Sequence, residues 1–267
     1  AGGVGGVGGG GGGGVGGVVS RYGTSVARTF TPITGIPSVG EDVALDAFAF
    51  PEDPEAVGIS WEEVVYESGV GPAAAWYVPG TRSTWAIFVH GRGGSPAEGL
   101  RALPTVVEAG FPALLITYRN DEGATGTDDR LARFGATEWE DLEGAVGYAL
   151  EAGAEDVLLV GYSMGGAIVA SFLLQSGFAG QVEAALLEAP ALDLGAMVDA
   201  RAADTDLPLV SLPVPAPLTW VAKWIASLRF SLNWGEIDYL ARAGEFETPM
   251  LIIHGTEDGD VPIAISE

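Results

Sequence analysis

The chain of 267 residues contains no cysteine. Disulfides, thiolate metal sites and a cysteine nucleophile are therefore excluded, and nothing in the composition records the redox state of a compartment. Basic residues are also scarce. Twelve Lys and Arg stand against 36 Asp and Glu, which sets the formal charge at −24. So acidic a surface repels a phosphate backbone, and nucleic acid is not an expected partner. Lys223 is the sole lysine, a bias that fits a high-GC genome or an acidic surface suited to high salt. Histidine occurs twice, at His90 and His254, with no His-Glu-x-x-His run. A zinc site has little support and no cofactor is expected.

Nearly half of the residues are apolar, enough for a sizeable core, and the length suits one domain with an insertion. Residues 1–27 read as a flexible Gly/Val-rich tail, 28–54 as a Pro- and acid-containing linker, and 55–267 as the folded domain. The uncharged run Ala1 to Val19 has about the length of a membrane span and is followed by Arg21 and Arg28. A weak membrane anchor through residues 1–19 is the alternative to a tail, so the expected location is cytoplasmic or membrane-associated.

Short apolar runs recur at Trp85 to Val89, Pro112 to Tyr118, Val157 to Val160, Val182 to Leu187 and Met250 to Ile253. Their composition is that of parallel strands covered on both faces. Helical segments, Ala97 to Ala109 and Thr137 to Gly153 among them, lie between, and the alternation predicts a doubly wound, mostly parallel α/β sheet. Ile59 to Glu67 and Ala73 to Val78 flank a Gly- and Pro-containing turn and predict an antiparallel hairpin at one edge. Trp139, Glu140, Asp141 and Glu143, on the helix before the Val157 strand, read as a solvated face.

The strand Val157 to Val160 runs straight into Gly161-Tyr162-Ser163-Met164-Gly165 and then a helix-compatible stretch. A serine on a sharp strand-to-helix turn needs glycines two positions to either side, and Gly161 and Gly165 supply them. The turn would present the hydroxyl beside free N–H groups at a helix N-terminus. In a chain with 41 glycines the pattern alone fits an ordinary loop serine; the alternating strands around it make Ser163 the candidate nucleophile.

From about Trp61 onward these residues resemble the α/β-hydrolase family, with Tyr118-Arg119-Asn120 similar to its Bem46-like and serine aminopeptidase S33-type branch. His90-Gly91-Arg92-Gly93-Gly94-Ser95 follows a strand and looks like the family's oxyanion loop. The resemblance implies that the N–H groups of Arg92 and Met164 hold an oxyanion, with His90 and Gly91 shaping the loop. His254-Gly255-Thr256-Glu257-Asp258 is similar to the loop bearing the acid of the triad, which places that acid at Asp258, with Asp260 as fallback. Asp193 is a weaker match for the same role.

The family pattern demands a histidine after the acid, and none follows. His90 and His254 belong to His-Gly motifs at strand ends, so the expectation is a fragment whose base lies beyond Glu267, poorly soluble and silent on esters as it stands. The long segment Ala191 to Glu247 falls where the family carries a cap, with amphipathic stretches Leu218 to Leu228 and Phe230 to Leu240. Its aromatics, Trp220, Trp224, Phe230 and Trp234, either pack that cap or line an acyl pocket. The implied activity is hydrolysis of an ester, thioester or amide on a small acyl substrate. Perhydrolysis through the same triad and a non-catalytic binding role are alternatives.

Overall fold

The computed structural model describes residues 50–206 and 213–266, together with the backbone of three strands near the N-terminus. The chain divides into two units, Ala1–Val57 and Gly58–Glu267. In the first, β1 (Gly2–Val4), β2 (Gly12–Tyr22) and β3 (Ser25–Thr34) pair antiparallel in that order. A tail was expected to residue 27 and a linker beyond it. Ladder pairing needs only backbone groups, which glycine carries as other residues do. The other residues of the expected tail and linker up to residue 49 lie outside the described residues. No helix among the described residues is long and apolar enough to cross a membrane.

The second unit is built on a seven-stranded sheet. Its strands are β4 (Glu62–Ser68), β5 (Gly71–Val78), β6 (Thr84–Val89), β7 (Ala113–Ile116), β8 (Asp156–Tyr162), β9 (Val182–Glu188) and β10 (Met250–Ile253). Their spatial order is β10-β9-β8-β6-β7-β5-β4. Strands β7, β6, β8, β9 and β10 run parallel, while β5 is antiparallel to both β7 and β4. The expected hairpin is β4–β5, closed by the two residues Gly69 and Val70, with Gly71 at a φ of 134° that favours glycine.

Strand periodicity sends alternate side chains to opposite faces. Ile87, Val89, Leu114, Ile116, Val157, Leu159 and Leu187 join the main core with Leu142, Ala145, Val146 and Ala149 of α2 (Trp139–Glu151) and Ile168, Val169 and Phe172 of α3 (Met164–Gln175). Spacings of three and four put the α2 residues on one stripe. Helix α3 is apolar all round and buried over most of its length, as a central helix must be. The opposite face is less complete. Ala86, Leu158, Val160, Leu186 and Leu251 line an open groove of about 430 Å³ with Val106 and Phe111, so the parallel strands are not covered on both faces as expected.

Two helical expectations also change. Ala97 to Ala109 is a 3-10 turn, Pro96–Arg101, followed by the short helix α1 (Leu103–Glu108). Pro104 has no N–H to donate, so a single α-helix cannot run through it. In the cap, α4 (Leu194–Ala203) and α5 (Ala216–Phe230) are helical, but Phe230 to Leu240 is not a second amphipathic helix. Ser231 takes left-handed backbone at a φ of 52° and ends α5, and the turn at Asn233-Trp234-Gly235 follows, with Asn233 Oδ1 accepting from the Gly235 N–H.

Candidate active site

The register of the sheet brings the sequence motifs to one edge. Val89 pairs with Gly161, Tyr162 with Glu188, and Glu188 with Ile253. The loops opening at His90, Ser163, Ala189 and His254 therefore leave the carboxyl ends of neighbouring strands, where open α/β sheets place their ligands. Valine and isoleucine at Val261 and Ile265 pack the end of the His254 loop against Ala167 and Ala170 of α3. The serine helix and the candidate acid loop thus share one small core.

Ser163 stands at the head of α3 with φ 49° and ψ −113°. A side chain at positive φ costs about 1–3 kcal/mol and persists only where its surroundings over-determine it. They do so here. The Ser163 N–H donates to the Glu188 carbonyl at 2.9 Å, and its own carbonyl accepts from Gly166 and Ala191, both at 3.0 Å. Glycine is needed on each side: a Cβ on Gly161 would lie 2.8 Å from Gly165 O, and one on Gly166 2.5 Å from the Pro190 Cβ. The hydroxyl makes no capping bond to α3.

Gly91 is the nearest part of the facing loop. A Cβ there would sit 3.2 Å from the Ser163 Cβ. Arg92 is exposed, Met164 is buried, and neither main-chain N–H donates a hydrogen bond among the described residues. Met164 adjoins the serine in sequence, and Arg92 adjoins Gly91, the part of the facing loop closest to it.

His90 is buried at 2% exposure and both ring nitrogens face acceptors. Nδ1 is 2.8 Å from the Gly91 carbonyl oxygen and Nε2 is 2.9 Å from Asp121 Oδ2. The Tyr118 ring stacks on it at 4.4 Å, and the Tyr118 hydroxyl donates to the carbonyls of His90 and Gly91. Burial pushes the Tyr118 phenol well above its ordinary pKa, with Asp121 adding to the shift. His90 is thus held between the Gly91 carbonyl, Asp121 and the Tyr118 ring. The Tyr-Arg-Asn spelling contributes Tyr118 to the same packing.

His254 is also engaged. Its Nε2 is 2.9 Å from the Val261 carbonyl and its Nδ1 is 2.6 Å from Ser266 Oγ. Asp258 Oδ1 accepts the N–H groups of Asp260 and Val261 at 2.8 and 2.9 Å, while Oδ2 is 3.5 Å from His254 Nε2. One carboxylate oxygen is therefore fixed by the loop and the other has only that distant contact. Asp260 is exposed and gives the turn its backbone. Asp193 is the N-cap of α4, accepting from Ala196 N at 2.8 Å, which accounts for it structurally.

Sequence reasoning missed two buried acidic residues, Asp141 and Glu98. Asp141, expected on a solvated face, is fully buried and binds Arg119 Nε at 2.7 Å and Nη2 at 3.0 Å. Glu98 is 5% exposed and its Oε2 accepts the Gly91 N–H at 2.7 Å. No sequence signal singled out Glu98: it is seven residues from Gly91 on a turn that folds back.

A profile of the Alpha/beta hydrolase family matches residues 86–264, about two thirds of the chain. No curated protein matches the sequence. Among solved structures, an esterase of Pyrococcus furiosus is similar with a TM-score of 0.59 at 16% identity, covering 81% of this chain and 79% of that one. The esterase of Exiguobacterium antarcticum superposes with a TM-score of 0.51 at 17% identity, over 77% and 85% of the two chains. The acylaminoacyl peptidase of Pyrococcus horikoshii gives 0.54 at 19% identity, over 78% of this chain but 33% of the peptidase.

Proposed function

The chain belongs to the alpha/beta hydrolase family, and on that premise we propose that it is a serine hydrolase that transfers the acyl group of a small ester to water. The observation carrying this reading is the strained Ser163 beside the unused N–H of Met164 and against the Gly91 loop, whose Arg92 N–H is also unused, at the edge shared with the Asp258 loop. Ser163 Oγ attacks the carbonyl carbon as its proton passes to a base; the oxyanion accepts the two N–H groups; the bond to the leaving oxygen then breaks as the base returns the proton to it. Water repeats the sequence on the acyl-serine and releases the acid. Thioesters and amides follow the same chemistry. Two of the similar structures are esterases, so esters are the class to try first.

His90 and His254 each hold two other partners, so neither is assigned as the base in this reading, and the carboxylate oxygen left to orient a base is Asp258 Oδ2. The same engagement of both histidines favours the second reading, a binding protein on this fold without turnover. A fluorophosphonate probe and a p-nitrophenyl ester, applied to the complete gene product, separate the two. Labelling and turnover, both lost in Ser163→Ala by roughly 10⁴-fold or more, are expected. An unlabelled wild type overturns the hydrolase.

A further inference from the structure

Glu98 is the least expected charge in this neighbourhood. It lies in the 3-10 turn Pro96–Arg101, directly after the loop that faces Ser163, and it is 5% exposed. Its side chain turns back into that loop: Oε2 accepts the Gly91 N–H at 2.7 Å and would be 3.3 Å from a Cβ on Gly94. A Cβ on Gly91 would lie 3.2 Å from the Ser163 Cβ and 3.5 Å from the same oxygen. One glycine separates the carboxylate from the serine.

The other oxygen, Oε1, meets Arg101 Nη2 at 3.3 Å, and Arg101 Nη1 continues to Glu188 Oε1 at 2.8 Å. The Arg101 guanidinium lies 4.6 Å over the ring of Tyr162, the residue before the serine. Glu188 closes the circuit, since its carbonyl accepts the Ser163 N–H. A single chain of contacts therefore runs from the Gly91 amide through Glu98, Arg101 and Glu188 to the Ser163 amide. It ties together the two backbone segments that carry the Arg92 and Met164 N–H groups.

We infer that Glu98 is a positioning residue: its hydrogen bond to the Gly91 N–H fixes the His90–Gly91 peptide, the one directly before the peptide that carries the Arg92 N–H, and Arg101 offsets the negative charge this puts beside a site where an oxyanion forms. A charge-assisted bond to a main-chain donor is stronger than a neutral one, and a buried carboxylate without a counter-charge would oppose the oxyanion it helps to bind. The inference rests on the acyl-transfer reading above. An oxyanion develops only in the transition state, so disturbing its donor lowers kcat and leaves KM.

The test compares wild type, Glu98→Ala, Glu98→Gln and Ser163→Ala in the complete gene product, with a p-nitrophenyl ester and with amide exchange at glycine-labelled Gly91. Glu98→Ala is expected to lower kcat about 100-fold, with KM within about twofold, and to speed Gly91 exchange. Glu98→Gln keeps an acceptor for Gly91 and loses the ion pair, so it should recover to within roughly tenfold of wild type. It also keeps the question open to measurement if the alanine variant fails to fold. A wild-type kcat in both variants, or a change in KM alone, overturns the inference. Failure of the hydrolase reading appears separately, as a wild type indifferent to Ser163→Ala; unchanged Gly91 protection in Glu98→Ala would then overturn the tie to Glu98 by itself.

Discussion

Gly165 lies directly against the end of strand β6: a Cβ on it would be 2.7 Å from the His90 carbonyl oxygen and would collide with that of Val89. The second glycine of the Gly-x-Ser-x-Gly pattern is therefore fixed by a neighbouring strand as well as by the turn itself. Both obstructing atoms are backbone, in the segment that leads into the loop facing Ser163, and backbone cannot swing aside as a flexible side chain can.

Gly165→Ala is accordingly expected to destabilise the fold by at least about 3 kcal/mol, at the upper end of overpacking costs. Urea denaturation followed by far-UV circular dichroism measures it. Gly177 has open space around it, so Gly177→Ala in the same protein is the control and should stay within about 1 kcal/mol of wild type. Equal midpoints for the two variants would show that β6 and α3 are farther apart than described.

The buried Arg119–Asp141 pair gives a second measurable consequence. Desolvation works against the Arg119 charge, and the bonds to Asp141 and Glu140 outweigh it, leaving its pKa above the ordinary value. Asp141 also accepts the main-chain N–H groups of Gly69 and Arg119, joining the β4–β5 hairpin to the loop after β7. Asp141→Ala leaves the buried Arg119 with only the half-exposed Glu140 as counter-charge and frees the Gly69 and Arg119 N–H groups, so it should cost about 3 kcal/mol. A loss below about 1 kcal/mol by urea denaturation would mean that water reaches the guanidinium.

These two sites mark the boundary of what could be read from sequence. The Gly-x-Ser-x-Gly turn was legible because strand, glycines and helix are contiguous, and the same is true of the His90 and His254 loops at the ends of their strands. Parallel order followed from apolar runs alternating with helices. Asp141 was not legible: on a helical wheel it looks like any solvated acid, and its partner is 22 residues away on another element. Glu98 escaped for the same reason. The stretch Phe230 to Leu240 failed differently, since its amphipathic spacing is real but the turn at Asn233-Trp234-Gly235 outweighs it.

Alkaline pH should unfold this protein through its tyrosines. Burial raises the phenols of Tyr66 and Tyr118 well above the ordinary value of 10.0, and that of Tyr239, whose hydroxyl donates to the Phe134 carbonyl, to about 12. A folded pKa above the unfolded one means that the unfolded chain releases its proton first as pH rises. The stabilisation is complete below pH 10 and is lost between there and the folded pKa, at about 1.4 kcal/mol per pH unit for each phenol. Urea midpoints should fall from pH 10 upward, and Tyr239→Phe should make the fall shallower. A flat profile to pH 12 would show that these hydroxyls ionise in the folded state at their ordinary value.

Strand β10 is the outermost strand of the sheet, with Leu251 58% and Ile253 50% exposed. Parallel strands are ordinarily covered, and an apolar edge with unpaired N–H and C=O groups is a template for another chain. Lysine at an edge blocks such pairing by requiring the next strand to bury its charge. The double variant Leu251→Lys, Ile253→Lys should therefore stay soluble at concentrations where the 267-residue chain self-associates, as sedimentation velocity would report. Because both side chains face solvent, the change in stability should stay within about 0.5 kcal/mol. A lower thermal midpoint with no gain in solubility would instead mean that these two residues are covered in solution.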